Sequence, residues 1–270
     1  MGKRRKSPPT RSTKKCNSKT VAFWAFMAIA LAAGAGMYCA TSARGAADSY
    51  VSSYTPDPAP ALMQVSVQYQ LPADPRLLVI GDSWTWGQGV TPNTQGYAYQ
   101  VGNLMKWPTE VNGGRGTGYV TDSETPDAEN PARFPARVKI MPTSLIVQNP
   151  NIIIIQGSIN DLAQPPIIKK AATDTLRDLK SRFPNAVIVV FGPIFPPDVI
   201  SSKRVQDVQA ALRDAASGTE SAFVDPTQGE RFISDDQWAN AMGPDSHPNA
   251  LGHQLIANEL ATRLKVLFNA

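Results

Sequence analysis

The sequence predicts an α/β fold in three layers, with helices on both faces of a mainly parallel sheet. Two observations carry this. Four short apolar runs are continuous rather than alternating, which fits strands buried on both faces. Between them, apolar residues recur every three or four positions, the spacing of an amphipathic helix. Strands that alternate with helices build an α/β sheet rather than a bundle or a sandwich. The 270 residues suffice for a substantial core, and 42% hydrophobic with 18% charged residues excludes a disordered or fibrous chain.

The elements follow in order. Leu77-Leu78-Val79-Ile80 is the first run and ends at Gly81. A second strand is expected near 109–112, opening a long and partly irregular excursion to residue 150, the stretch poorest in pattern. Asn151-Ile152-Ile153-Ile154-Ile155 leads to Gly157, Ala186 to Phe191 leads to Gly192, and Ala222-Phe223-Val224 leads to Asp225. Helical spacing is carried by Ile168, Ala172, Leu176, Leu179 and Phe183, and then by Val205, Val208, Leu212 and Ala215. The last helix is marked by Leu251, Leu255, Ala257, Leu260, Leu264 and Phe268.

Upstream of this domain, expected over 75–270, the chain has a different character. Residues 21–40 carry no charge and, as a helix, would span about 30 Å, the thickness of a bilayer core. Eight bases precede this segment and only Arg44 follows closely, so the basic tail 1–20 is expected in the cytoplasm and the C-terminal bulk outside it. The segment reads as a transmembrane anchor, or as a signal h-region cleaved among the small residues that follow. Residues 41–74 read as a Pro-rich linker with a short strand at 64–70.

Charge and cysteines exclude some classes. The net charge of +4 resides in the tail: without its eight bases, 18 bases face 22 acids, a net of −4. A mildly acidic domain argues against nucleic acid as the partner. Cys16 and Cys39 both precede the domain, so it has no disulfide scaffold.

In α/β sheets, sites form beyond the carboxyl ends of the strands. Gly81-Asp82-Ser83-Trp84 follows the first run, a glycine-rich Asn112–Tyr119 the second strand, and Gly157-Ser158-Ile159-Asn160-Asp161 the third. Asp245-Ser246-His247-Pro248 precedes the last helix. A serine, glycine amides, an asparagine and an Asp/His pair at one edge are the parts of an acyl-transfer site. The glycine loop lacks the Gly-Lys-Ser/Thr ending of a phosphate loop. The other histidine, His253, falls in or just before the last helix and is expected to pack or cap there; Asp161 is expected as a structural turn or cap residue, and Asp82 to bond local backbone. Trp84 and Trp86 are read equally as pocket walls or as core.

These four blocks, in order and over nearly 200 residues, resemble the SGNH (GDSL-type) hydrolases. The resemblance implies a flavodoxin-like sheet and an esterase needing no cofactor and no metal. It further implies Ser83 as nucleophile, His247 as its base, and an oxyanion hole formed by the Ser83 and Gly116 amides and the Asn160 side chain. Gly114 and Gly118 are alternatives for the glycine. One departure stands out. The family places its aspartate three residues before the histidine, where this chain has Pro244; Asp245 lies two before. Asp245, Asp235, Asp236 or a backbone carbonyl would then orient the ring. The expected substrate is a small or envelope ester, such as an O-acylated polysaccharide or a lipid. A same-fold acyltransferase and an inactive envelope binding protein are the rival readings.

Overall fold

A computed structural model describes residues 50–51, 54–57, 69–123, 132–141, 149–161 and 163–270. The segments expected as tail and membrane anchor lie outside these residues, as do 64–68 of the strand expected at 64–70. Tyr69 and Gln70 have no strand conformation. Among the described residues, no helix is long and apolar enough to cross a membrane.

Five strands form one parallel sheet: β1 (Leu77–Gly81), β2 (Thr109–Gly113), β3 (Ile152–Gln156), β4 (Val187–Phe191) and β5 (Ala222–Val224). Their order is β2-β1-β3-β4-β5. Leu77 lies beside Thr109 on one side and Ile152 on the other. β1 and β3 are adjacent in the sheet although β2 lies between them in sequence, so their C-terminal ends form the point where strand order reverses. A crevice opens there for want of a covering connection.

The helices are α1 (Ser83–Trp86), α2 (Tyr97–Met105), α3 (Phe134–Ile140), α4 (Pro165–Arg182), α5 (Lys203–Ser217), α6 (Asp235–Ala241) and α7 (Ala250–Phe268). Strand side chains alternate between two cores. Leu77, Val79, Ile152, Ile154, Val189 and Phe191 pack against α2 and α7. Leu78, Ile80, Ile153, Ile155, Ile188 and Val190 pack against α3, α4 and α5. This two-sided burial is why the runs are apolar throughout. The periodic residues of α4 and α5 are buried as their spacing predicts. In α7 the exceptions are Leu251, 41% exposed on the first turn, and Leu255, which is half-buried.

Periodicity does not reveal α2, α3 or α6. The α2 sequence, YAYQVGNLM, contains a glycine and two tyrosines and has weak helical preference. It is held by burial of Tyr97, Ala98 and Val101 under α7.

Part of the expected linker lies on the domain surface. The Tyr54 hydroxyl donates to Asp214, the Asp57 amide donates to the same carboxylate at 2.9 Å, and Lys169 meets Asp57 at 2.6 Å. Tyr50 donates to Asp207 at 2.9 Å and lies under the Arg204 guanidinium. Tyr50, Tyr54 and Asp57 therefore contact α4 and α5.

Candidate active site

The chain leaves β1 through a turn that demands glycine. A Cβ on Gly81 would lie 2.1 Å from the Thr85 hydroxyl. Asp82 caps α1, its carboxylate accepting the Trp84 amide at 2.9 Å, and Ser83 opens the helix. Asp82 is fully buried and burial raises its pKa to about 7, against hydrogen bonds from Trp84 and Gln156 and the charge of Arg137.

Ser83 and His247, 164 residues apart, meet at 2.9 Å between Oγ and Nε2. The loop before α7 makes this possible. Gly243 donates to the His247 carbonyl at 2.7 Å, and Ser246 takes a left-handed φ of 62°. This tight turn folds Asp245 back under the ring. Nδ1 of His247 lies 3.0 Å from the Asp245 carbonyl oxygen and 3.2 Å from its carboxylate. Both can only accept, so Nδ1 bears the hydrogen and Nε2 presents its lone pair to Ser83. The Gln88 side-chain amide holds the Asp245 carboxylate at 3.2 Å. Burial lowers the His247 pKa below its ordinary 6.5, opposed by Asp245 and assisted by Arg115.

Asn160 sits in the loop after β3, its Nδ2 donating to the Thr117 carbonyl at 2.9 Å. Asp161 fastens this loop to the one after β2: its carboxylate accepts the Tyr119, Val120 and Thr121 amides, each at 3.0 Å, and the Ser158 hydroxyl at 2.7 Å. Asp161 is structural, as expected, but it braces a loop some forty residues away rather than its own turn. Among the three candidate glycines, the Gly114 amide donates to Gly81 and the Gly118 amide to Thr121, both at 2.9 Å. Gly116 is exposed, has a left-handed φ of 69° and open space where a Cβ would lie. Among the described residues its amide has no partner.

The second histidine has a different fate. His253 is fully buried, accepts the Tyr97 amide on Nδ1 at 3.1 Å and donates from Nε2 to the Gln88 carbonyl at 3.0 Å. It packs, as its position predicts. Of the two tryptophans, Trp84 belongs to the core at 4% exposure. Trp86 is half-buried under the Arg115 guanidinium, 5.2 Å from its ring centroid. Among the described residues no cluster of His, Cys, Asp or Glu is arranged to hold a metal ion.

Sequence reasoning missed Gln88, Thr117, Arg137 and Gln156. Only Thr117 lies in a motif, the glycine-rich block, and each acts through a contact between segments distant in sequence.

The fold is thus a parallel α/β sheet with a serine–histidine pair beyond its strand ends, at the point where strand order reverses. The particular family is also defined. A family model, the GDSL-like Lipase/Acylhydrolase family, matches residues 79–255, and the chain belongs to that family. Solved structures share the fold. A carbohydrate esterase family 2 enzyme with a carbohydrate-binding domain, from Myceliophthora fergusii, has a TM-score of 0.56 at 18% identity, covering 80% of this chain and 69% of that one. A family two carbohydrate esterase from Clostridium thermocellum, in complex with cellohexaose, has a TM-score of 0.55 at 16% identity, covering 74% and 66%. Est24, a carbohydrate acetylesterase from Sinorhizobium meliloti, has a TM-score of 0.52 at 14% identity, covering 72% and 100%. No curated protein sequence matches the chain.

Proposed function

We propose that this member of the GDSL-like family is a serine esterase in which Ser83 is the nucleophile and His247 its general base. The observation that carries the reading is the 2.9 Å contact between Ser83 Oγ and a His247 Nε2 whose lone pair faces it. An inactive binding protein has no use for that tautomer. Ser83 gives its proton to His247 as Oγ attacks the ester carbonyl, and the oxyanion accepts hydrogen bonds from the Ser83 and Gly116 amides and from Asn160 Nδ2. As the intermediate collapses, His247 protonates the departing alkoxide. A water then gives its proton to His247 and attacks the acyl-enzyme, and Ser83 regains its proton as the acid leaves. Asp245 orients the ring through its carbonyl and its carboxylate together.

The substrate proposed is an O-acyl ester of a carbohydrate outside the cytoplasm. The carbohydrate esterases of like fold and the uncharged segment 21–40 behind a basic tail support this reading. The test compares the full chain with Ser83→Ala on p-nitrophenyl acetate, alongside labelling by a fluorophosphonate. Hydrolysis and labelling are expected in the parent and absent in the variant. A variant that hydrolyses at the parent rate would overturn the mechanism. Release of acetate from acetylated xylan, with no fatty acid released from a phospholipid, tests the substrate class.

A further inference from the structure

Resting on that reading, we infer that Arg137, on α3, is a positioning residue that sets the oxyanion loop against the nucleophile turn. Its guanidinium is a four-way clamp. Nη1 donates to the Asn112 carbonyl at 2.8 Å and to the Asn112 side-chain oxygen at 2.7 Å. Nη2 donates to the Gly81 carbonyl at 2.7 Å and to the Thr117 hydroxyl at 3.3 Å. Gly81 is the last residue of β1, Asn112 lies at the end of β2, and Thr117 is next to Gly116.

The contacts continue toward the site from both ends. The Gly81 carbonyl also accepts the Gly114 amide at 2.9 Å, so one oxygen joins the serine turn, the glycine loop and Arg137. The Thr117 hydroxyl donates onward to the Gly114 carbonyl at 2.7 Å, closing the loop across Gly116. The Thr117 carbonyl receives Asn160 Nδ2 at 2.9 Å, which aims that amide. The Ser83 turn, the Gly116 loop and the Asn160 side chain are thereby tied to one planar group. A displacement of an ångström among such donors is enough to cost a large share of rate.

A cation is an expensive group for this place. Arg137 is only 3% exposed, and among the described residues its Nε has no hydrogen-bond partner. Its guanidinium lies 5.0 Å from the centroid of Phe134, one turn earlier on α3. Burial lowers its pKa to about 10, with the Asp82 charge opposing, so it stays cationic at neutral pH. A fork-shaped donor set facing four oxygens from three segments is what a guanidinium supplies and an ammonium does not.

The experiment measures kcat and KM for p-nitrophenyl acetate with the full chain, Arg137→Met, Arg137→Lys, Thr117→Val and Ser83→Ala. Losing an oxyanion donor costs roughly a hundredfold or more. Arg137→Met and Arg137→Lys are therefore expected to lose about a hundredfold in kcat at unchanged KM and with an unmoved acid limb. Added guanidinium below its denaturing range is expected to restore part of the Arg137→Met rate. If Arg137→Met does not fold, Thr117→Val carries the test, with a fall of about tenfold in kcat at constant KM. Parent-like kcat in every folded Arg137 and Thr117 variant, while Ser83→Ala is dead, overturns the inference and leaves the serine mechanism standing. A fall that follows only the folded fraction and shows no guanidinium rescue also overturns it. Hydrolysis undiminished in Ser83→Ala removes the mechanism itself, and the inference with it.

Discussion

Replacing Asp245 by alanine tests how His247 is oriented for the proposed reaction. In a triad whose only acceptor on the far nitrogen is a carboxylate, losing that carboxylate costs about 10⁴ in rate, because the ring takes the wrong tautomer. Here the Asp245 carbonyl, which the mutation leaves in place, is the nearer acceptor, 3.0 Å from Nδ1 against 3.2 Å for the carboxylate. What is lost is the attraction between the carboxylate and the imidazolium that forms during the reaction. The Asp245 side chain is 48% exposed, so the medium between the charges is close to water. At this separation the attraction is about 1–2 kcal/mol, or roughly 5- to 30-fold in kcat. Asp245→Asn is expected to behave alike, since the carbonyl still fixes the hydrogen on Nδ1. Because Asp245 raises the His247 pKa, its loss moves the acid limb of kcat/KM to lower pH. The assay is ester hydrolysis from pH 4 to 8, with melting temperatures as a check on folding. A loss of 10³ or more in a folded Asp245→Ala protein would refute the reasoning, for it would make the carboxylate the indispensable orienter.

Asn160→Ala should lower kcat by about 10²–10³ with little change in KM, as measured on p-nitrophenyl acetate. Arg115→Gln removes a charge that lowers the His247 pKa, so the acid limb should move to higher pH. His253→Leu orphans the Tyr97 amide and the Gln88 carbonyl and should cost about 2–4 kcal/mol in denaturant unfolding. Hydrolysis per folded molecule should stay within a few-fold of the parent, and abolished hydrolysis would make His253 part of the mechanism. Tyr54→Phe loses one hydrogen bond to Asp214 and should lower the melting temperature by about 2–4 °C. An unchanged melting temperature would show that residues 54–57 add nothing to the domain.

The layers were legible because they rest on short-range pattern. Ile152-Ile153-Ile154-Ile155 has no polar face, so it can only lie between two layers of helices. The motifs were legible for a related reason. A residue that follows a buried strand directly, as Ser83 follows β1 and Asn160 follows β3 within four residues of Gln156, reaches the crevice whatever the rest of the chain does. α2 was not legible, because its helicity comes from burial against α7 and not from its own sequence. Nor did the 109–150 stretch reveal α3, whose one polar residue of consequence, Arg137, reads as an ordinary surface arginine.

By itself, then, the sequence determined the parallel sheet, the order of its periodic helices, the serine and asparagine that follow its strands and the histidine before its last helix. Only the tertiary structure decided what holds them in register. Asp161 spans some forty residues to brace one loop on another, Arg137 joins β1, β2 and the glycine loop, and a left-handed Ser246 turns the Asp245 carbonyl onto His247. The physical reason is that burial follows from composition along a short segment. Hydrogen-bond partners depend instead on distances of a few tenths of an ångström between segments that meet only when the whole domain has folded.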